Sequence, residues 1–118
     1  MPNPACGRIV LAGVVDPQGR HPKVRPLVLL TSDADIQGGA PLVAAAISTS
    51  FDQLDPSMYV SLPWHPAGNA RTKLTAPCAA VCTWLVEVSP DCIVKYGGWV
   101  PSDKMQELFD KISLLPGP

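Results

Sequence analysis

A histidine and two cations stand directly before an apolar run in residues 21–30, HPKVRPLVLL. Arg25 carries a planar guanidinium that can grip a phosphate through two parallel hydrogen bonds and stays charged at neutral pH. His21 titrates near neutrality, which makes it a candidate general acid or base. Both also have a structural interpretation, because charged side chains commonly solvate strand ends and loops. The segment therefore predicts either a phosphate-binding arginine or a solvated strand end.

The composition predicts one small globular domain over residues 1–118. The chain is 47% hydrophobic and 16% charged, which argues against disorder. Its 14 prolines and 9 glycines favour short strands joined by turns over long helices. The formal net charge of −1 argues against nucleic-acid binding unless positive charge is clustered locally.

The start of the chain and the cysteines indicate the compartment. MPNPACGRIV lacks the basic and then apolar pattern of a signal peptide, and the apolar runs are too short to span a bilayer. We therefore expect a cytoplasmic protein without a membrane segment, whose four cysteines are reduced. Neither the cysteines nor the two histidines have the spacing of a metal site, so we expect no metal and no cofactor. Alternation predicts a shared strand face for Cys78, Ala80, Cys82 and Trp84.

The elements that would position these residues are short strands and one helix. Strands are predicted at residues 8–15, 26–30, 42–49, 58–62, 79–88 and 97–100, with loops at 16–24, 32–40, 51–57 and 63–71. Apolar residues at helical spacing after Pro101 predict a C-terminal helix with Ser102 as N-cap. The stripe comprises Met105, Leu108, Phe109 and Ile112. Together these elements predict a mainly β fold, a small barrel with an amphipathic helix packed across it.

In their order along the chain, several segments resemble the MazF/PemK family of bacterial toxins. The most specific is Lys23-Val24-Arg25-Pro26 before an apolar strand, followed in register by a strand that ends in hydroxyls, Ala46-Ile47-Ser48-Thr49-Ser50. Supporting segments are Gly7-Arg8-Ile9-Val10, Tyr59-Val60-Ser61-Leu62, Thr72-Lys73-Leu74 and the final helix.

The resemblance implies an SH3-like β-barrel, a homodimer and a metal-independent endoribonuclease that an antitoxin neutralises. It assigns the site arginine to Arg25. The hydroxyl is Ser48 by its place after the hydrophobic residue, or Thr49 by residue type. Alternation turns Ser48 away from a face predicted to be buried through Val43, Ala45 and Ile47, which favours Ser48.

RNA can be cut without a metal when its own 2′-hydroxyl attacks the adjacent phosphorus. Arg25 would neutralise charge on the phosphoryl oxygens, Ser48 or Thr49 would bond an oxygen, and His21 is the candidate for proton transfer. Trp64 is open to two interpretations, a platform for an unpaired base or a cap on the core. The predicted RNA-binding residues are Arg20, Lys23, Trp64, His65, Arg71 and Lys73.

Three other functions remain open. A toxin of the same fold can act without catalysis, by binding a protein such as DNA gyrase. A peptide-binding SH3-like adaptor would need an aromatic groove, and only 6% of the residues are aromatic. A structural domain without a site is the third possibility.

Overall fold

Six antiparallel strands form one sheet in the computed structural model, which describes residues 4–14 and 23–115. The strands are β1 (Arg8–Val14), β2 (Lys23–Leu29), β3 (Leu42–Ser48), β4 (Tyr59–Ser61), β5 (Ala79–Val88) and β6 (Ile93–Trp99), in the order β4-β5-β3-β2-β1-β6. Two α-helices, α1 (Asp33–Gln37) and α2 (Ser102–Ser113), and two 3₁₀ turns, Pro56–Met58 and Pro90–Cys92, complete the fold. The predicted mainly β class with a C-terminal helix is confirmed. No helix in the described ranges is long and apolar enough to cross a membrane.

Several boundaries differ from those predicted. Strand β2 begins at Lys23 and not at Pro26, and β6 begins at Ile93 and not at Gly97. Pro26 lies inside β2, where it pairs with Leu11 on β1. A residue without an N–H is tolerated there because the ladder to β3 begins only at Leu27. The predicted loop at residues 32–40 contains the short helix α1, which Ser32 caps by accepting a hydrogen bond from the Asp35 amide.

At the start of α2, the predicted N-cap is wrong by one residue. Pro101 occupies the cap position with extended backbone angles, and Ser102 is the first helical residue. Met105 and Leu108 of the predicted apolar stripe are buried against the sheet, as expected. Phe109 lies at the margin of the stripe and is 38% exposed.

Both faces of the sheet are buried, each in its own cluster. The helix face, covered by α2, includes Ile9, Val28, Ala45, Ile47, Ala80, Cys82, Met105 and Leu108. The far face includes Val10, Ala12, Leu27, Leu29, Ala44, Ala46 and Val88. Side chains from β5 and β6, on opposite sides of the sheet order, pack on the far face, so the sheet curls around that cluster.

Two predictions about strand faces are wrong. Cys78, Ala80 and Cys82 lie on the helix face, but Trp84 packs on the far face. The pairing register explains the position of Trp84. Ala45 pairs with Leu85 and Ile47 with Ala80, so β5 advances five residues while β3 advances two, which is a bulge in β5. Val43, predicted to be buried, is 37% exposed. It lines an open cleft beside Phe109 at the margin of the area that α2 covers.

The buried cysteines act as small apolar side chains. Cys78 and Cys82 are free thiols in the helix-face cluster. Burial raises the pKa of both thiols above the ordinary value of 9.0, because the thiolate would lose its hydration. Both thiols are therefore protonated and unreactive at neutral pH.

A loop, rather than a strand ladder, connects the two edges of the curled sheet. Strands β4 and β6 are the edges, so the hydrogen-bonded ladder is not closed as in a complete barrel. The segment after β4 reaches β6, where the Trp99 amide donates to the Arg71 carbonyl at 2.8 Å. Gly98 packs directly under this segment, since a Cβ there would lie 2.6 Å from the Thr72 carbonyl oxygen and closer still to that of Arg71.

We expect Gly98→Ala to destabilise the protein by about 2 kcal/mol, because a methyl group would push this segment off β6. For a domain of this size, that corresponds to a melting temperature lower by roughly 10 °C. Gly13→Ala is the matched control, because Gly13 is also on a strand but has nothing within 4 Å of an added Cβ. Thermal melts of the three proteins measure the difference. Equal melting temperatures for the two variants would contradict the close packing at Gly98.

Candidate functional site

Arg25 projects from β2 at the end of the far face. It pairs with Ala12 on β1 and shares its side of the strand with the buried Leu27. The side chain is half-buried, and its guanidinium carbon lies 5.1 Å from the centre of the Trp84 ring. A guanidinium over an indole is held by attraction to the ring's electron-rich face.

The contact between Arg25 and Trp84 crosses a strand of small residues. Strands β2 and β5 are both neighbours of β3, whose far-face residues here are Ala44 and Ala46. Alanine methyl groups leave room above β3, so the long side chains from either side can meet there. Trp84 is available for this contact only because the extra residues in β5 turn it to the far face.

The charge of Arg25 is not neutralised by a described carboxylate. Its Nε atom is buried and has no hydrogen-bond partner among the described residues. Both ion pairs recorded between described residues belong to Glu107, with Lys104 and Lys111 on α2. A guanidinium that lies over an indole and has no carboxylate partner in the described part of the chain is suited to bind an anion such as phosphate.

Ser48 is the last residue of β3, two residues beyond the end of the ladder with β2 at Leu27 and Ala46. Strand alternation from that pair places Ser48 and Arg25 on the far-face side of their strands. The Ser48 hydroxyl is half-buried and accepts a hydrogen bond from the Ser50 amide at 3.0 Å. Thr49 is exposed and lines a separate depression with residues 50 and 52–54. Register therefore favours Ser48 as the hydroxyl nearer to Arg25.

Of the other site residues predicted in the first loop, Lys23 is among the described residues. Lys23 is the exposed first residue of β2, opposite Val14. Arg20 and His21 lie outside the described residues.

Trp64 and His65 lie on the surface of the long loop. Trp64 is 42% exposed, so it does not act as a cap that is sealed into the core. His65 is exposed, and its Nδ1 atom accepts a hydrogen bond from the Ala67 amide at 3.1 Å. This bond fixes the ring within its own turn and leaves Nε2 as the outward atom.

Arg71 and Lys73 line a cleft of about 650 Å³ between the long loop and β6. We call it the basic cleft, and its lining is Arg8, Ala70, Arg71, Lys73, Gly97, Gly98 and Trp99. Arg8 pairs with Trp99, whereas Arg25 pairs with Ala12, four residues along β1. At ~3.3 Å per residue along β1, the row of Arg8 and Trp99 and the row of Ala12 and Arg25 are roughly 13 Å apart. The basic cleft is thus separate from Arg25, although the predicted RNA-binding residues Arg71 and Lys73 line it.

Three residues of these two groups were missed from the sequence. Trp84 was predicted to share a strand face with Cys78 and Cys82, and Arg8 and Trp99 were counted only as strand residues. Arg8 on β1 pairs with Trp99 on β6, and this ladder contains register shifts that break strict alternation. Among the described residues, no group of three or more His, Cys, Asp or Glu side chains could hold a metal ion.

Neither a protein-family model nor a curated protein sequence matches the chain. Solved structures do match it over nearly its full length. A mycobacterial endoribonuclease in complex with its cognate antitoxin has a TM-score of 0.71 at 16% identity, covering 98% of this chain and 100% of that one. A second mycobacterial endoribonuclease has the same TM-score and identity, with coverages of 100% and 98%. The Mycobacterium tuberculosis toxin MazF-mt6 has a TM-score of 0.65 at 18% identity, covering 90% and 92%.

The chain therefore has the fold of the MazF toxins. The resemblance to the MazF/PemK family that the sequence indicated is confirmed at the level of the fold.

Proposed function

We propose that the chain is the toxin of a type II toxin–antitoxin pair, an endoribonuclease (mRNA interferase) that cuts single-stranded RNA without a metal. The observation that carries this proposal is the guanidinium of Arg25, which lies over Trp84 and pairs with no carboxylate among the described residues, within a MazF fold. A preorganised cation at a solvent-accessible strand end is suited to phosphoryl chemistry.

The proposed reaction uses the RNA's own 2′-hydroxyl as nucleophile. Its oxygen attacks phosphorus, the bond to the 5′-oxygen breaks, and the products are a 2′,3′-cyclic phosphate and a 5′-hydroxyl. Arg25 stabilises the charge on the non-bridging oxygens, and Ser48 donates a hydrogen bond to one of them. Thr49 is the alternative hydroxyl. One proton leaves the attacking hydroxyl and another reaches the leaving oxygen, with His21 as the candidate for one transfer.

RNA binding would use further residues outside this centre. The proposed set is Arg20, Lys23, Trp64, His65, Arg71 and Lys73. Exposure of Lys23, Arg71 and Lys73 supports electrostatic attraction of the backbone, and exposure of Trp64 supports stacking of an unpaired base. Local clustering offsets the chain's formal net charge of −1.

The proposed partners are a cognate antitoxin and a second copy of the chain in the cytoplasm. One structure with this fold contains its cognate antitoxin. Exposed apolar side chains, among them Val24, Leu85 and Val94, support contact with a partner. An acidic antitoxin segment over Arg25 would exclude RNA directly. No observation favours the alternative, a non-catalytic toxin that inhibits gyrase.

Arg25→Ala should reduce the RNA cleavage rate on the order of a hundredfold to a thousandfold, because it removes one preorganised donor to the transition state. Arg25→Lys should recover only part of this loss, since a point charge cannot make the bidentate contact. Single-turnover cleavage of a labelled RNA measures the rates, and thermal melts verify folding. Lys104→Ala, on α2, is the matched control. An alanine variant that folds and cuts RNA at the wild-type rate would remove Arg25 from the site.

Ser48→Ala and Thr49→Val distinguish the two hydroxyls. We expect Ser48→Ala to lower the cleavage rate at saturating RNA about tenfold to a hundredfold, the loss of one hydrogen bond to a charged group. Thr49→Val should leave the rate within about twofold, because Thr49 is exposed and lines a separate depression with residues 50 and 52–54. The opposite ranking would assign the hydroxyl to Thr49.

Cleavage should continue in excess EDTA, because Arg25 and the RNA's own hydroxyl supply the charge and the nucleophile. The assay compares rates before and after chelation, with magnesium or manganese added back. Activity that disappears with EDTA and returns with either metal would contradict the proposed mechanism.

A further inference from the structure

We infer that the basic cleft binds one unpaired nucleotide of the RNA, with the phosphate on Arg71 and Lys73 and the base against Trp99. This inference rests on the proposed ribonuclease function and extends it, because the cleft is a second contact separate from Arg25. Its support comes from the charges, the aromatic surface and the rigidity of the lining residues.

The lining of the cleft is strongly biased in charge. Among the described residues, it contains three cations, Arg8, Arg71 and Lys73, and no carboxylate. The backbone phosphate of a nucleic acid is the anion that such a surface accommodates, and Arg71 and Lys73 are both exposed.

The aromatic surface of the cleft is held in place by Arg8. The Arg8 guanidinium carbon lies 4.9 Å from the Trp99 ring centre and 5.5 Å from that of Tyr96. Its Nε donates to the Gly97 carbonyl at 3.1 Å, which fixes the guanidinium beside both rings. Trp99 is nevertheless 40% exposed, so part of its ring remains accessible to a ligand. An exposed and immobilised indole is a stacking platform for a base.

The turn that carries the two outer cations is preorganised. Asn69 Oδ1 accepts from the Arg71 amide at 2.9 Å and from the Thr72 amide at 3.0 Å. Thr72 is buried, and its hydroxyl donates to the Pro63 carbonyl at 2.7 Å. Burial of Thr72 turns its neighbours Arg71 and Lys73 outward.

Lys73 adds backbone strain at the same place. Its φ of 66° lies in the left-handed region, which non-glycine residues seldom adopt and which costs about 1–2 kcal/mol. Its Nζ donates to the Ala70 carbonyl at 3.0 Å, so one of the three ammonium donors is used. A strained turn that presents a cation toward a cleft with an aromatic wall is consistent with a binding role.

A single nucleotide has a phosphate for the cations of the cleft and a base for the indole of Trp99. A phosphate alone would leave the indole unused, and an apolar ligand would leave three cations without a counter-charge. The rows of Arg8 and Arg25 are roughly 13 Å apart along β1, so the scissile phosphate and this nucleotide are different units of one RNA. Loss of the cleft should therefore raise KM and leave kcat nearly unchanged.

The test uses a fluorescently labelled single-stranded DNA, which cannot be cut because it lacks the 2′-hydroxyl. Fluorescence anisotropy should show binding about tenfold weaker for Trp99→Leu, the usual loss for one stacked base, and close to wild type for Trp99→Phe. Arg71→Ala should reduce the slope of log affinity against log salt by about 0.7, the value for one phosphate contact on a single strand.

Two further variants control for charge and for folding. Lys73→Asn removes the charge but keeps a residue that tolerates the left-handed region, so its effect should resemble that of Arg71→Ala. Lys104→Ala removes a cation on α2 and should change neither affinity nor slope. Thermal melts exclude variants that fail to fold.

The outcomes separate this inference from the proposed function. Folded Trp99→Leu and Arg71→Ala variants that bind DNA as the wild type does would overturn the nucleotide site, whatever the protein cuts. An acidic peptide that displaces the DNA and depends equally on Trp99 would also overturn it. Binding that depends on Trp99, in a protein that does not cut RNA, would support the cleft and reject the ribonuclease proposal.

Discussion

The run of small side chains in β3 is the constraint on which the rest of the structure depends. Ala44, Ala45 and Ala46 are fully buried, two on the far face and one on the helix face. Larger side chains would hold α2 away from one face and fill the space above the other. Because they are small, β3 supports two cores, and the side chains of Arg25 and Trp84 meet across it.

The elements were more predictable than their register. Strand β5 matches its predicted bounds, β3 ends one residue early, and β1 covers the described part of its predicted range, because β-branched and apolar runs bounded by turn residues are strong local signals. Helix α1 was missed, since five residues with no fully buried side chain leave no periodic pattern. Trp84 was placed on the wrong face because a bulge depends on pairing between distant strands, and no local pattern encodes it.

The same limit applies to the candidate site. Arg25 and Ser48 could be proposed from the sequence, because the family resemblance points to Arg25 and strand alternation favours Ser48 over Thr49. The basic cleft could not, because it joins Arg8, from the first strand, to Arg71 in the long loop through β6. The formal net charge of −1 likewise conceals this clustering. Where cations gather is decided by topology, and composition records only their number.

The energetics of Arg25 indicate why an arginine stands there at all. A buried Nε without a partner costs about 1–3 kcal/mol, while a cation over an indole contributes roughly 0.5–2 kcal/mol. These effects are similar in size and opposite in sign, so the arginine adds little net stability. A leucine at this position would extend the far-face cluster of Leu27 and Leu29 without burying a polar atom. Stability alone would thus favour an apolar residue. An anion from outside the chain, such as the phosphate of the proposed RNA substrate, would supply the counter-charge that no described carboxylate provides.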